Sequence, residues 1–353
     1  GKEGNMLNLI YFIIILGVIV LVHEFGHFIF AKMFGIYVYE FAIGMGPKLF
    51  HFKSKKGETE YSIRAIPIGG FCSLAGEDLD SDDDKKIPKD RRLQSKPVWQ
   101  RFLVMFFGAG NNFILAFLLL LVIAFGWGAV SSKPVISELV SGNPAEQAGL
   151  QVGDYISKIN GHKVKTSDDV SIYLQVEDKS KPITFTVKRN KRELDIDVTP
   201  IKEEVDGSTI YRVGIVSQGK VEKGFIPSVK YACTKTGALF RQMVITLKGL
   251  FTGGLSVKQL SGPVGIYNIV GTQAKGGFQN ILYLIALLSI NVGFINLIPL
   301  PAFDGGRILF LIIEKIKGSP IKPETENKIH TIGFILLLAL MIYITFNDIL
   351  KLF

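Results

Sequence analysis

A chain of 353 residues that is 48% hydrophobic and 20% charged, with a mean hydropathy of +0.33, is too apolar for an ordinary soluble domain and too charged to lie wholly in lipid. Those numbers fit a membrane protein with one sizeable aqueous part. The formal net charge of +9 comes without a basic stripe interleaved with aromatics, which excludes nucleic acid as a partner and assigns the excess to membrane topology.

Residues 1–5 precede Met6 and resemble an expression remnant. The first predicted span covers Leu7 to Phe30, within a segment 6–34, and holds His23, Glu24 and His27 as H-E-x-x-H. Residues four apart share a helix face, so both imidazoles can reach one divalent ion while Glu24 stands beside it to take a proton from water. Two histidines and a carboxylate at membrane depth are costly and therefore expected to be functional. The segment lacks an A-x-A-like cleavage site and is expected to be a retained anchor.

From 35 to 75 the pattern changes to strands and turns, through Gly44-Met45-Gly46-Pro47, a Lys55-Lys56-Gly57 turn and Tyr61-Ser62-Ile63 to Gly69-Gly70. This predicts a small antiparallel sheet beside the motif, a candidate edge for an extended peptide. A cytoplasmic loop (76–100) follows, with Asp80 to Asp84 as a solvated acidic stretch, and then an uncharged second span in 101–130. Residues 131–200 have soluble composition. A short helix after Gly142-Asn143-Pro144, a strand at Tyr155-Ile156, an Asn160-Gly161 hairpin, and strands Ile183–Arg189 and Glu193–Val198 around Asn190-Lys191 resemble a PDZ domain in their order. His162, in the hairpin, is expected at the surface.

Residues 201–277 are expected to be a linker and an amphipathic helix. There Val229, Cys233, Thr236, Phe240, Val244, Leu247 and Phe251 recur at helical spacing, which suits a helix on the outer membrane surface or one packed on the soluble domain. The third span, 278–306, ends in Asn296-Leu297-Ile298-Pro299-Leu300-Pro301-Ala302-Phe303-Asp304-Gly305-Gly306. Its prolines free backbone groups tolerated at depth only where protein or a wet cavity receives them. Because a catalytic zinc keeps three protein ligands and one open position, Asp304 is the expected third ligand. A cytoplasmic link (307–330) and a fourth span (331–350) complete the chain. Lys and Arg cluster after the first and third spans, which predicts both termini and the soluble domain outside. Cys72 and Cys233 then fall on opposite sides, without a disulfide.

H-E-x-x-H on a first span, the G-x-G hairpin at Gly44 and Gly46, a PDZ insertion and N-x-x-P-x-P-x-x-D-G-G together resemble the site-2 proteases, and more narrowly the RseP-like bacterial intramembrane proteases with one PDZ domain. The resemblance implies a polytopic α-helical membrane protein with four transmembrane helices, a membrane-associated β-hairpin sheet and an inserted extracytoplasmic α+β PDZ domain. It implies a zinc-dependent endopeptidase of the bacterial cytoplasmic membrane, with one Zn2+ per chain on His23, His27 and Asp304, Glu24 as general base, and its active site near the cytoplasmic face. Expected substrates are single-span membrane proteins first trimmed by another protease, such as anti-sigma factors or remnant signal peptides; PDZ-bound peptide termini and the lipid bilayer are the other partners. The family's substrate contacts carry over to Asn296, Asn112, Gly44, Gly46, Tyr61 and Ile63. The usual G-P-x-x-N reads Gly108-Ala109-Gly110-Asn111-Asn112, without the proline, and the usual Leu-Asp-Gly reads Phe303-Asp304-Gly305. The alternative is a membrane PDZ adaptor with a structural or vestigial metal site.

Overall fold

The computed structural model describes residues 2–53, 57–77, 86–205, 208–256, 260–319, 321 and 323–350. The chain divides into two compact units, Gly1–Leu119 with Leu260–Phe353, and Leu120–Gln259. The first unit opens with α1 (Lys2–Met33), β1 (Val38–Lys53), β2 (Glu60–Leu74) and α2 (Val98–Trp127). The second holds β3 (Ala129–Val130), β4 (Glu138–Leu139), α3 (Pro144–Gln147), β5 (Tyr155–Ile159), β6 (His162–Lys163), α4 (Ser167–Val176), β7 (Ile183–Arg189), β8 (Arg192–Val198), β9 (Ile201–Val205), β10 (Ser208–Arg212), β11 (Ile215–Val216), β12 (Val221–Glu222) and α5 (Phe225–Thr252). The chain then returns to the first unit with α6 (Pro263–Lys275), α7 (Phe278–Leu297), α8 (Asp304–Lys317) and α9 (Pro323–Leu350). The Lys55-Lys56 turn and the Asp80 to Asp84 stretch lie outside the described residues.

Among the described residues, four helical stretches are long and apolar enough to span a bilayer: Met6–Met33, Val98–Trp127, Phe278–Leu297 and Thr325–Leu350. Two boundaries differ from the sequence reading. The third span stops at Leu297 rather than near residue 306, because Pro299 forces Ile298 into extended backbone (ψ 133°). The expected link 307–330 is mostly helical: α8 starts at Asp304 itself, and α9 starts at Pro323, ahead of its apolar run. Residues 201–277 also hold more than a linker and one amphipathic helix, since a second helix, α6, packs its Val270 against Ile15 and Ile19 of α1 and Leu284 of α7.

α1 and α2 approach closely because Gly26 leaves no Cβ; one built there would overlap the Phe107 carbonyl. Phe30 stacks on Phe107 beside it, with centroids 4.0 Å apart. Ala31, Ile36, Val38, Leu74, Leu93 and Val104 bury a common core that seats the sheet against both helices.

β1 and β2 pair antiparallel, but each is bent. Gly44, Gly46 and Gly69 have φ of +85°, +83° and +83°, and a Cβ on Gly44 would lie 2.5 Å from Ile66 O, so the bend requires glycine. The bends fold two strands into four segments. Residues 40–43 pair with 70–73 on one side and with 60–63 on the other, while 48–53 pair with 60–64.

Below this sheet Arg91 forks onto Glu58, with both nitrogens 2.6 Å from its oxygens, and Lys32 Nζ lies 3.1 Å from the same carboxylate. The Arg91 hydrogen bonds hold the Glu58 carboxyl down at about 2, against an ordinary 4.5. A carboxyl lowered on folding stabilises the fold above its unfolded value and stops doing so as pH falls through the folded one. Thermal unfolding of the solubilised protein should therefore lose on the order of 1–2 kcal/mol between about pH 4.5 and 2 from this group, allowing for partial exposure. Glu58→Gln should remove that part of the acid dependence; an unchanged profile would discard the assignment.

The second unit is built on an antiparallel sheet in the order β6-β5-β7-β8. Its hairpins turn at Asn160-Gly161 (φ +46° and +78°) and Asn190-Lys191 (φ +50° and +65°), the left-handed pairs that match strand twist. Ile136, Ile156, Ile159, Phe185, Val187 and Val198 form its core. The unit extends beyond residue 200, because β11 pairs with β4 and β12 with β3. His162 is exposed, its ring stacked on Tyr173. α5 packs on α4 through Lys235 and Asp168 (2.5 Å) and Arg241 and Asp169 (3.1 Å), while Phe240, Val244 and Phe251 of its predicted stripe stay exposed.

Candidate metal centre

α1 places His23 and His27 one turn apart, and both rings are buried. The proline-broken turn after α7 carries the chain back so that Asp304, first residue of α8, meets them. Gly305 and Gly306 make this possible: a Cβ on either would strike the carbonyls of Leu297, Ile298 or Leu300. His23 Nε2 lies 3.1 Å and His27 Nε2 3.3 Å from Asp304 Oδ2, and the two Nε2 atoms are 3.3 Å apart. Ligands about 2.0–2.2 Å from a tetrahedral zinc stand about 3.3–3.6 Å from one another, close to this triangle.

The chemistry of the donors also fits a cation. His27 Nδ1 donates to Val104 O of α2 at 2.8 Å, which leaves a lone pair on Nε2. Asp304 Oδ2 lies at ion-pair distance from both rings yet is buried without a hydrogen-bond donor. A buried carboxylate oxygen between two imidazole nitrogens, without a hydrogen bond of good geometry, is costly unless a cation satisfies it.

His23 Nδ1 faces the Asn112 amide at 3.4 Å, and Asn112 Oδ1 is buried without a partner. A half-turn of that amide makes Oδ1 the acceptor for an Nδ1 proton, leaving His23 Nε2 as a ligand. Asn112 is 0% exposed, and its backbone carbonyl accepts from Ser289 Oγ of α7 at 2.9 Å. It sits behind a histidine, enclosed by helices.

Glu24 is half-buried on α1. Its Cγ would lie 3.9 Å from a Cβ on Gly70, so the sheet segment next to it is 70–74. That segment pairs only with β1 among the described pairings. Tyr61 and Ile63 are instead flanked on both sides, by Phe41 and Phe52 and by Ile43 and Phe50. Their backbones are already paired inside the sheet, so the contact they offer an extended peptide is through their exposed side chains. Gly44 and Gly46 mark the bend, and Asn296 is half-buried with its Nδ2 donating to Val292 O of its own helix at 3.0 Å.

Gly108, read only as the first residue of the G-P-x-x-N comparison, was not assigned to the site from sequence. A Cβ there would fall against the His27 ring and 3.0 Å from Asp304 Oδ2. The small-residue run Gly108-Ala109-Gly110 inside an apolar helix was the available signal.

A multi-pass membrane protein whose first span carries two histidines and a carboxylate, closed by an aspartate from a distant helix, is a membrane-embedded metal-centre protein of the hydrolase kind. Comparison with known proteins narrows the class. The model of peptidase family M50 matches residues 11–340. The chain is 36% identical to the regulator of sigma-W protease RasP of Bacillus subtilis, over 98% of this chain and 99% of that protein. It is 39% identical to a putative zinc metalloprotease of Clostridium perfringens, over 97% and 98%, and 34% identical to the probable protease eep of Enterococcus faecalis, over 99% and 100%. The chain belongs to peptidase family M50.

Proposed function

We propose that the chain is a zinc-dependent endopeptidase that cuts the transmembrane segments of single-span membrane proteins. The observation that carries this reading is the convergence of His23 Nε2, His27 Nε2 and Asp304 Oδ2 at membrane depth, with no proton donor to the aspartate oxygen. Relatives described as a putative zinc metalloprotease and as a regulator of sigma-W protease support zinc as the ion and a part in sigma-factor regulation, for which anti-sigma factors are the substrate class the resemblance implies. Remnant signal peptides fit the same chemistry.

Zinc, when bound, supplies Lewis acidity that activates water near neutral pH and polarises a carbonyl. His23, His27 and Asp304 would hold it. Val104 O fixes the His27 ring, and Asn112 fixes His23. Glu24 takes the proton of the attacking water and passes it to the leaving amine as the C–N bond breaks, yielding a new carboxylate and a new amine. A helical substrate hides its carbonyls and must unwind first; pairing with the outer edge of segment 70–74 offsets the lost helical hydrogen bonds. Asn296 and the bend at Gly44 and Gly46 remain candidate contacts for the unwound stretch.

The clustering of Lys and Arg after the first and third spans supports a topology with both termini and the soluble part outside the cell and the metal centre near the cytoplasmic face. The second unit, read as a PDZ domain, would admit substrates by size or capture an exposed terminus, with the exposed Phe240, Val244 and Phe251 of α5 resting on the outer lipid surface. The intact trio of ligand atoms and the family membership disfavour the adaptor alternative.

Chelation tests the reading directly. Full-length protein in detergent, treated with a chelator, is expected to lose cleavage of a membrane-anchored reporter and to regain it on adding zinc alone. Cleavage that persists in protein shown by elemental analysis to be zinc-free would overturn it. Asn112→Leu is expected to weaken zinc on the order of ten- to a hundred-fold while the protein stays folded. Unchanged affinity in chelator competition would remove the proposed support of His23.

A further inference from the structure

Among the described residues outside glycine, positive φ occurs at Asn160, Asn190, Lys191 and Ala302. The first three sit in hairpin turns. Ala302, at φ +81°, lies in the turn from Pro301 to Phe303, two residues before Asp304. Its Cβ makes that conformation unfavourable, and alanine has no side-chain hydrogen bond to offset it. Something outside the turn must hold it.

α9 supplies the hold. Ala302 N donates to His330 Nδ1 at 3.2 Å. This makes Nδ1 the acceptor and puts the ring proton on Nε2, which faces Glu326 Oε1 of the preceding turn at 3.8 Å. Phe310 of α8 packs edge-on against the same ring, with centroids 5.4 Å apart. Three residues further along α9, Gly333 lets the helix press against Pro301: a Cβ there would come within 2.9 Å of the Pro301 carbonyl. Pro301 and Ala302 are therefore gripped at adjacent points of one helix face, spaced three residues apart.

We infer that His330 is a positioning residue: by accepting the Ala302 N–H it locks the strained turn that aims the Asp304 carboxylate at His23 and His27. α9 contributes none of the three ligand atoms, yet it sets where one of them stands. The inference rests on the metal-centre reading above and adds a residue that neither the motif nor the resemblance indicates.

The test compares three variants of the full-length protein in detergent. His330→Leu keeps bulk without the acceptor. His330→Asn restores an acceptor oxygen at the same δ position, and Asp304→Ala is the reference for a lost ligand. Zinc affinity by chelator competition is expected to fall on the order of ten- to a hundred-fold in His330→Leu, and to return to within about threefold of wild type in His330→Asn, by the same outer-partner argument. In zinc-free protein, amide hydrogen exchange at Ala302 should be faster in His330→Leu than in wild type or His330→Asn. With reporter substrate, kcat should fall in His330→Leu while KM holds.

Unchanged zinc affinity and unchanged Ala302 exchange in His330→Leu, with zinc lost from Asp304→Ala, would overturn the inference alone. Unchanged zinc in Asp304→Ala would overturn the metal-centre reading instead. Should His330→Leu fail to fold, His330→Ser, too short to reach Ala302, takes its place with the same expected results.

Discussion

Glu24→Gln is expected to abolish cleavage of a membrane-anchored substrate while leaving zinc content near that of the wild type. Glutamine keeps the shape of the side chain but cannot take a proton, and a positioned general base contributes on the order of 10²–10⁴ in rate. Zinc should stay because the converging ligand atoms belong to His23, His27 and Asp304. Turnover of the reporter together with elemental analysis of the same preparation separates the two effects. Undiminished turnover would end the proposed role of Glu24, and zinc lost along with activity would recast it as a ligand.

Gly108→Ala should be as damaging for a different reason. The added methyl would overlap His27 Nε2, lie 2.5 Å from its Cε1, and stand 3.0 Å from Asp304 Oδ2. Neither neighbour can yield easily: His27 is tied to Val104 O at 2.8 Å, and Asp304 opens a helix whose approach depends on Gly305 and Gly306. Zinc stoichiometry is expected to fall below half, with activity reduced at least about a hundredfold, as befits displacement of groups that must stand within about 0.5 Å of their working geometry. Gly110→Ala is the control, since the nearest atoms to its methyl would be ring carbons of Phe107 and Phe106, at 3.2 and 3.3 Å. A Gly108→Ala protein with full zinc would refute the steric account.

How far the sequence carried the reading depended on the range of the interaction. H-E-x-x-H was legible because helix spacing alone puts His23 and His27 on one face. Asp304 was legible as a residue, through the prolines before it, but its place as the first residue of α8 was not. That helix starts where a turn is held from α9, a contact 28 residues along the chain.

Asn112 was found, but its place against the His23 ring was not legible. A motif says which residues gather, whereas the side of the His23 ring on which the amide lies is set by the packing of α2 against α1 and α7. The edge of the sheet was not legible for a related reason: alternation predicts a strand, but which segment stays at the edge follows from bends at Gly44, Gly46 and Gly69. The two-residue strands β11 and β12 carry no periodicity to read, so residues beyond 200 were taken for a linker.

The path from segment 70–74 to Asp304 is short. Leu74 leads through Ala75 and Gly76 to Glu77, whose carboxylate grips Arg307 in the first turn of α8. Farther along that helix Glu314 is clamped by Arg101 of α2. The edge proposed to receive the peptide and the helix that begins with the proposed ligand Asp304 are thus links of one tether, anchored at its far end. Tension on an engaged substrate would travel along it to Asp304, so the grip on the peptide and the aim of the carboxylate would tighten or slacken together.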